Sequence, residues 1–178
     1  MRRANSLWSK WWRTVVFFLV ALAIVLGDQY SKAWIRSNLA VGQSIPETGF
    51  MRLTHVQNTG AAFGIFQNHA AQLTVVSFIG AAIILVYTFY ICRRFSFLNN
   101  VISMAALGSI LGGTVGNLIG RLTLGYVTDF IQVGTFPAFN VADASITAGA
   151  SVFAGSLIYL LIKEKQEAEA EGPVSPGE

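Results

Sequence analysis

The chain has 178 residues, of which 53% are hydrophobic and 12% charged, with a net charge of +3 and one cysteine. A soluble domain of this size would not comfortably expose so much apolar surface, so the composition places the chain in a membrane. The lone Cys92 excludes an intramolecular disulfide and a cysteine-based metal site, and the positive charge reads as a topological bias rather than as a nucleic-acid surface.

The first apolar segment, Thr14 to Trp34, follows Arg2, Arg3, Lys10 and Arg13. Its basic start resembles a secretory leader, but Gly27-Asp28-Gln29-Tyr30 offers no small-x-small cleavage pattern and three more apolar segments follow, so a retained span is expected. Asp28 and Lys32 have the i, i+4 spacing, acid first, that favours an intrahelical ion pair. At ~1.5 Å per residue, Asp28 lies ~22 Å beyond Arg13, in the outer part of the bilayer. The pair reads either as a charge-neutral orienting device for the helix or as part of a site.

Next comes a segment of about 35 residues, Ser37 to Gln72, longer than a connector requires. Within it Phe50 to Val56 has β-forming residues in partial alternation and predicts a strand. His55 and His69 have no acidic or cysteine companion and are expected to be loop histidines rather than metal ligands. The second span is Leu73 to Cys92, followed by Arg93 and Arg94.

The third span, Val101 to Ile119, carries Gly108, Gly112, Gly116 and Gly120 every four residues, a smooth stripe that lets a neighbouring helix approach closely. Asn117 and Arg121 are also four apart and project along one flank of its outer end. Arg121 reads either as a snorkelling cation or as a site residue. A shorter outer segment, Gly120 to Asp143, contains a second predicted strand, Val127 to Val133. A small sheet built from both outer segments would carry Asp129.

Asp143 precedes the fourth span, Ala144 to Ile162, where it reads as a helix N-cap. Beyond Ile162 the composition turns to Lys, Glu, Gly and Pro, which predicts a solvated, disordered tail. The whole is a mainly α membrane protein: four transmembrane helices with a small extracytoplasmic β-sheet, residues 1–162 forming one integral membrane domain and residues 163–178 a cytoplasmic tail. Eight basic residues flank one side of the spans and four, Lys32, Arg36, Arg52 and Arg121, the other, so both termini are expected in the cytoplasm.

Charge of the opposite sign is distributed tellingly. All three aspartates, Asp28, Asp129 and Asp143, lie inside or against apolar stretches, whereas all six glutamates fall in loops or the tail. A carboxylate near the bilayer core costs at least ~2.5 to 3.5 kcal/mol, so three at membrane level point to use. Two carboxylates brought close together cannot both ionise readily. One keeps its proton while the other draws a proton from water, which permits peptide hydrolysis with neither metal nor cofactor.

Five motifs then resemble a known family: Asp28-Gln29-x-x-Lys32, Asn58-Thr59-Gly60-Ala61-Ala62-Phe63-Gly64, Gly116-Asn117-x-x-x-Arg121, Val127-x-Asp129-Phe130 and Phe139-Asn140-Val141-Ala142-Asp143. In this order they resemble the lipoprotein signal peptidases, the type II signal peptidases of bacterial cell membranes. The resemblance implies an intramembrane aspartic endopeptidase that cuts a prolipoprotein before its diacylglyceryl-modified cysteine. It implies Asp129 and Asp143 as the catalytic pair, Asn58, Asn117, Arg121 and Asn140 as residues lining the site, and Asp28 and Lys32 as a supporting polar group. It also implies a four-helix bundle with a small outer sheet and a short outer helix, substrate lipid lying between helices, an active site at the extracytoplasmic face, and inhibition by the cyclic peptide globomycin.

One position departs from the family pattern. Gly120 stands where the family usually has Asp, so Arg121 lacks a neighbouring acid, and closer helix packing is the expected counterpart of that change. A small transporter with an intramembrane carboxylate relay would instead hold its acid near mid-bilayer, and a purely structural four-span protein would leave the polar cluster unexplained.

Overall fold

In the computed structural model, which describes residues 2–60, 70–91, 94 and 100–170, four long helices and one three-stranded sheet follow in the order helix, two strands, two helices, strand, helix. Helix α1 spans Arg2–Asn38, α2 Ala70–Val86, α3 Val101–Leu124 and α4 Val141–Ala170. Each, α2 taken together with the π turn that follows it, includes an apolar stretch long enough to cross a bilayer: Trp11–Asn38, Ala71–Tyr90, Val101–Leu124 and Val141–Glu167.

Helices α1, α3 and α4 outrun the apolar segments seen in the sequence, because helical hydrogen bonding does not stop where hydrophobicity does. Helix α2 continues through a π turn, Tyr87–Ile91. Helix α3 extends past Ile119 to Leu124, so Arg121 shares a helix with Asn117, as their four-residue spacing predicts. Helix α4 continues as far as Ala170, where Lys163–Glu167 and Lys165–Glu169 pairs at i, i+4 accompany the emerging turns. Cys92, His69 and Ala61-Ala62-Phe63-Gly64 of the outer-loop motif lie outside the described residues.

Helix α3 is the hub: it packs against α1, α2 and α4 and is the most buried of the four spans. Its glycines explain this. A Cβ on Gly108 would meet the Phe17 carbonyl oxygen at 2.5 Å, one on Gly112 the Ala21 carbonyl oxygen at 2.7 Å, and one on Gly116 the Asp28 carboxylate at 2.7 Å, so α1 lies directly on that stripe. Helix α4 approaches through Gly149, where a Cβ would fall 2.7 Å from the Ala106 carbonyl oxygen. Around these contacts Phe17, Ala21, Met104, Leu107 and Leu111 form the buried apolar core. The outward faces of α1 and α2 present Leu19, Leu22, Leu26, Val76, Ile79 and Ile83, as a lipid-facing surface requires.

The fourth glycine behaves differently from what the stripe predicts. Gly120 faces the returning chain rather than α1; a Cβ there would lie 2.9 Å from the Tyr126 carbonyl oxygen. Helix α3 ends in a left-handed Gly125 cap, φ 76°, whose N–H donates to the Arg121 carbonyl at 3.2 Å, and the chain folds straight back over Gly120 into the next strand.

The sheet order is β1 (Ser44–Ile45), β2 (Met51–Asn58), β3 (Val127–Val133), all antiparallel. Both predicted strands are present, and β1 is an addition. Between Leu53 and Val56 the register shifts by one residue, and Thr54 and His55 are both buried at this irregularity. His55 is therefore a strand residue tucked inside, not a loop histidine; its Nδ1 lies 2.8 Å from the Leu39 carbonyl oxygen. The local break in the pleat is the physical reason, since simple alternation would leave one of two successive residues facing out.

Candidate active site

Helix α1 contributes a charged pair to the end of the bundle that carries the sheet. Lys32 Nζ donates to Asp28 Oδ2 at 2.7 Å, with both side chains essentially inaccessible. Burying two ions is costly unless their remaining hydrogen-bonding capacity is used. Here it is used: Asp28 Oδ1 accepts the Ala142 N–H at 3.0 Å, and Gln29 Nε2 reaches both Asp28 Oδ2 at 3.0 Å and the Gly116 carbonyl at 2.9 Å. The pair thus ties α1 to α3 and to the first turn of α4.

Lys32 also donates to Asn117 Oδ1 at 2.8 Å. Asn117 Nδ2 in turn donates to Asp143 Oδ1 at 2.7 Å. Asp143 is not the N-cap that the sequence suggested: α4 begins at Val141, and the cap is Asn140. Asn140 Oδ1 accepts the Asp143 N–H at 3.0 Å while Asp143 Oδ2 accepts the Asn140 N–H at 3.2 Å. This is a reciprocal capping box, with Asp in the place usually taken by Glu or Gln. The Asp143 carboxylate therefore sits in the first turn of α4, where backbone N–H groups favour negative charge.

The second carboxylate arrives from the sheet. Asp129 on β3 pairs with Val56 on β2 and is 2% exposed. Asn140 Nδ2 donates to its Oδ1 at 2.6 Å and Asn58 Nδ2 to its Oδ2 at 2.8 Å. The same Asn140 amide also donates to Asn117 Oδ1 at 3.1 Å. Asn58 is itself held, its Oδ1 accepting the Gly60 N–H at 2.9 Å. Burial pushes the Asp129 carboxyl up to about 6, with the nearby Asp143 charge adding to the rise; the bonds from Asn58 and Asn140 and the Lys32 charge oppose it.

Strand β3 is anchored next to this carboxylate. Arg36 on α1 donates to Thr128 Oγ1 at 3.2 Å, and Thr128 is buried. Neither Arg36 nor Thr128 stood out as a site residue in the sequence, and Gln29 appeared there only as a motif position without a role. Thr128 had one available signal, as a polar residue flanking Asp129 that must face the opposite side of the strand.

Asp129 and Asp143 line one cavity of about 840 Å³, together with Asn58, Asn117, Arg121 and a wall from Phe136 to Phe139. Arg121 donates to Ser77 Oγ on α2 at 3.4 Å, the longest polar contact of the group. Of the eight residues singled out by sequence, Asp28, Lys32, Asn58, Asn117, Asp129, Asn140 and Asp143 belong to one continuous hydrogen-bond network. Arg121 shares the cavity but is not bonded into that network by any contact above.

Comparison with known proteins places the chain as a whole. A family model described as Signal peptidase (SPase) II matches residues 20–159. The chain is 52% identical over 137 residues to a lipoprotein signal peptidase of Dehalococcoides mccartyi, covering 77% of this chain and 85% of the relative. It is 38% identical over 143 residues to one of Moorella thermoacetica, covering 80% and 92%. Two solved structures, each described as a bacterial membrane enzyme, superpose with TM-scores of 0.66 and 0.67 at 26% and 28% identity, covering 91% and 79% of this chain and 94% and 91% of theirs. Four membrane-length helices, the small antiparallel sheet and these similarities together mean that the chain belongs to the signal peptidase II family, the lipoprotein signal peptidases.

Proposed function

We propose that this peptidase cleaves diacylglyceryl-modified prolipoproteins immediately before the lipidated cysteine, by activating a water between Asp129 and Asp143. The observation that carries the reading is the double engagement of Asn140, which donates its side-chain amide to Asp129 and its backbone N–H to Asp143. Two carboxylates that line one cavity, one from a strand and one from a helix, are thereby referred to one buried residue.

The environments of the two acids suggest which holds the proton. Asp129 is buried and its carboxyl is raised to about 6, so it is the member suited to carry the proton and donate it to the scissile carbonyl oxygen. Asp143 accepts Asn117 Nδ2 and a backbone N–H at a helix N-terminus, so it is the member suited to take a proton from water. Water oxygen adds to the carbonyl carbon, its proton passes to Asp143, and the Asp129 proton passes to the carbonyl oxygen. Collapse of the resulting diol breaks the C–N bond; Asp143 returns its proton to the leaving amine and the diol returns one to Asp129.

The substrate's acyl chains lie between helices, where the apolar outward faces and the lipid orient the peptide against the pair. Arg121 offers its fork of donors to a carbonyl or lipid oxygen of the substrate. Both termini and the tail after Ile162 are on the cytoplasmic side of a bacterial membrane, the site is at the extracytoplasmic face, and globomycin occupies the same cavity. Support for this orientation comes from the eight-to-four imbalance of flanking basic residues.

The test is cleavage of a diacylglyceryl-modified prolipoprotein by the purified chain in detergent or lipid, beside Asp129→Asn and Asp143→Asn at matched folding. Cleavage abolished by both substitutions is the expected result. Full activity in either variant would remove the paired-aspartate mechanism.

A further inference from the structure

The Asp28–Lys32 pair does more than neutralise a buried helix. Lys32 can only donate hydrogen bonds. Its Nζ lies 2.8 Å from one end of the Asn117 amide, so that end must be the carbonyl oxygen. The opposite end, Nδ2, is thereby turned to Asp143 Oδ1 at 2.7 Å. A second donor, Asn140 Nδ2 at 3.1 Å, lands on the same Asn117 oxygen and reinforces the choice. Rotated by half a turn, the amide would aim its NH2 at an ammonium and its oxygen at a carboxylate, two repulsive contacts in place of two attractive ones.

We infer that Lys32 is a positioning residue for the reaction: by donating to Asn117 Oδ1 it fixes which end of that amide faces Asp143, and so sets the hydrogen bond that holds this carboxylate. Asp28 has a dependent role. Its three accepted bonds, from Lys32, Gln29 and the Ala142 N–H, hold the ammonium in place and fasten the first turn of α4 to α1. The sequence left this pair open between a neutral orienting device and part of a site; the Lys32 to Asn117 to Asp143 series assigns it to the site. The inference rests on the proposed role of Asp143 and deepens it.

The test separates charge burial from amide orientation. Lys32→Met alone leaves Asp28 without its cation and could fail to fold, so the informative variant is the neutral double substitution Asp28→Asn with Lys32→Met, beside Asp143→Asn and the parent. Each is assayed for thermal unfolding and for kcat and KM on a diacylglyceryl-modified prolipoprotein. Expected for the double variant is an unfolding temperature close to the parent's, a KM within ~3-fold, and a kcat lower by ~10- to 100-fold, the size of effect seen when groups that orient catalytic residues are removed. A folded double variant with parental kcat would overturn the inference while the aspartate mechanism stands, provided Asp143→Asn is inactive. If Asp143→Asn is itself active, mechanism and inference fall together. Should the double variant not fold, Asn117→Leu, which removes the amide and leaves the ion pair intact, takes its place. Parental kcat there overturns the inference, and loss of kcat at unchanged KM supports it.

Discussion

Helices α1, α3 and α4 meet twice, and the two meetings are built from different chemistry. Away from the sheet, Gly108, Gly112 and Gly149 bring backbones into contact around Phe17, Met104 and Leu107, and apolar packing dominates. Near the sheet the same three helices meet through Asp28, Lys32, Asn117, Asn140 and Asp143, each polar atom committed to a partner. Close apolar packing tolerates loss of chemistry but not added volume. A satisfied polar network tolerates neither the loss of a donor nor its reversal. The first region keeps the helices together, and the second uses that fixed spacing to hold Asp129 and Asp143 beside one cavity.

The largest expected effect breaks the polar region alone. Asp143→Asn keeps size and shape and lowers cleavage by ~10³-fold or more, within the range attributed to a lost general base, with thermal unfolding little changed. Gly112→Val does the converse. Its Cβ would start 2.7 Å from the Ala21 carbonyl oxygen and 3.0 Å from the Ile24 Cβ, forcing α1 off α3. About 1 to 3 kcal/mol of stability is lost, read as a lower unfolding temperature, and activity falls only in step with the folded fraction. A Gly112→Val protein that is fully folded yet inactive would show that the two regions are not separable in this way.

The apolar region was the more legible of the two in the sequence. Spacing of four residues between glycines announces close approach wherever it occurs on a long apolar helix, and Gly108, Gly112 and Gly116 do face α1. Gly120 has the same spacing and a different neighbour, because the chain reverses at Gly125 and lays Tyr126 over it. Which backbone fills a glycine's space is a tertiary fact that periodicity does not carry. Likewise the three aspartates and three asparagines of the site were visible as polar residues at membrane level. Their connections were not: Asn140 as a donor to Asp129, Thr128 as the anchor for Arg36 and the Ala142 N–H as a donor to Asp28 depend on partners 11 to 114 positions away. Ordered motifs indicated that these residues belong together, and hydrogen-bond direction indicates how.

A change in pH sharpens the comparison within the polar region. The Asp129 carboxyl is raised from 3.8 to about 6, so between those values the folded protein keeps a proton that the unfolded chain has released. Stability is therefore favoured below pH 3.8 and lost as pH rises toward about 6, by ~2 to 3 kcal/mol at most for a shift of this size. Asp129→Asn removes that slope, while Gly112→Val leaves it unchanged. In the proposed mechanism the proton on Asp129 is also needed for cleavage, so kcat/KM falls as pH rises through the ionisation of the free enzyme. Asn58→Ala deletes a hydrogen bond to the charged form, and the falling limb moves to higher pH. Movement to lower pH would mean that Asn58 serves the neutral form instead.

The smallest effect belongs to the far end of α4, and its smallness is informative. The first turn of this helix is fixed by the Asn140 and Asp143 capping box, each bond also part of the site. Its last turns carry Lys163–Glu167 at 3.6 Å and Lys165–Glu169 at 3.7 Å, all four side chains more than half exposed. Exposed i, i+4 pairs contribute ~0.3 to 0.5 kcal/mol, and salt screens them. Lys163→Ala with Lys165→Ala should shift thermal unfolding by a degree or so at low salt, less at high salt, and leave kcat and KM at parental values. Asn140→Ala removes a cap that is by itself worth ~1 kcal/mol, yet it should depress kcat far beyond that figure, because the same side chain holds Asp129. If the two ends of α4 responded alike in the cleavage assay, the helix would be transmitting strain along its length, and the separation between packing and chemistry would fail at the one element that spans both.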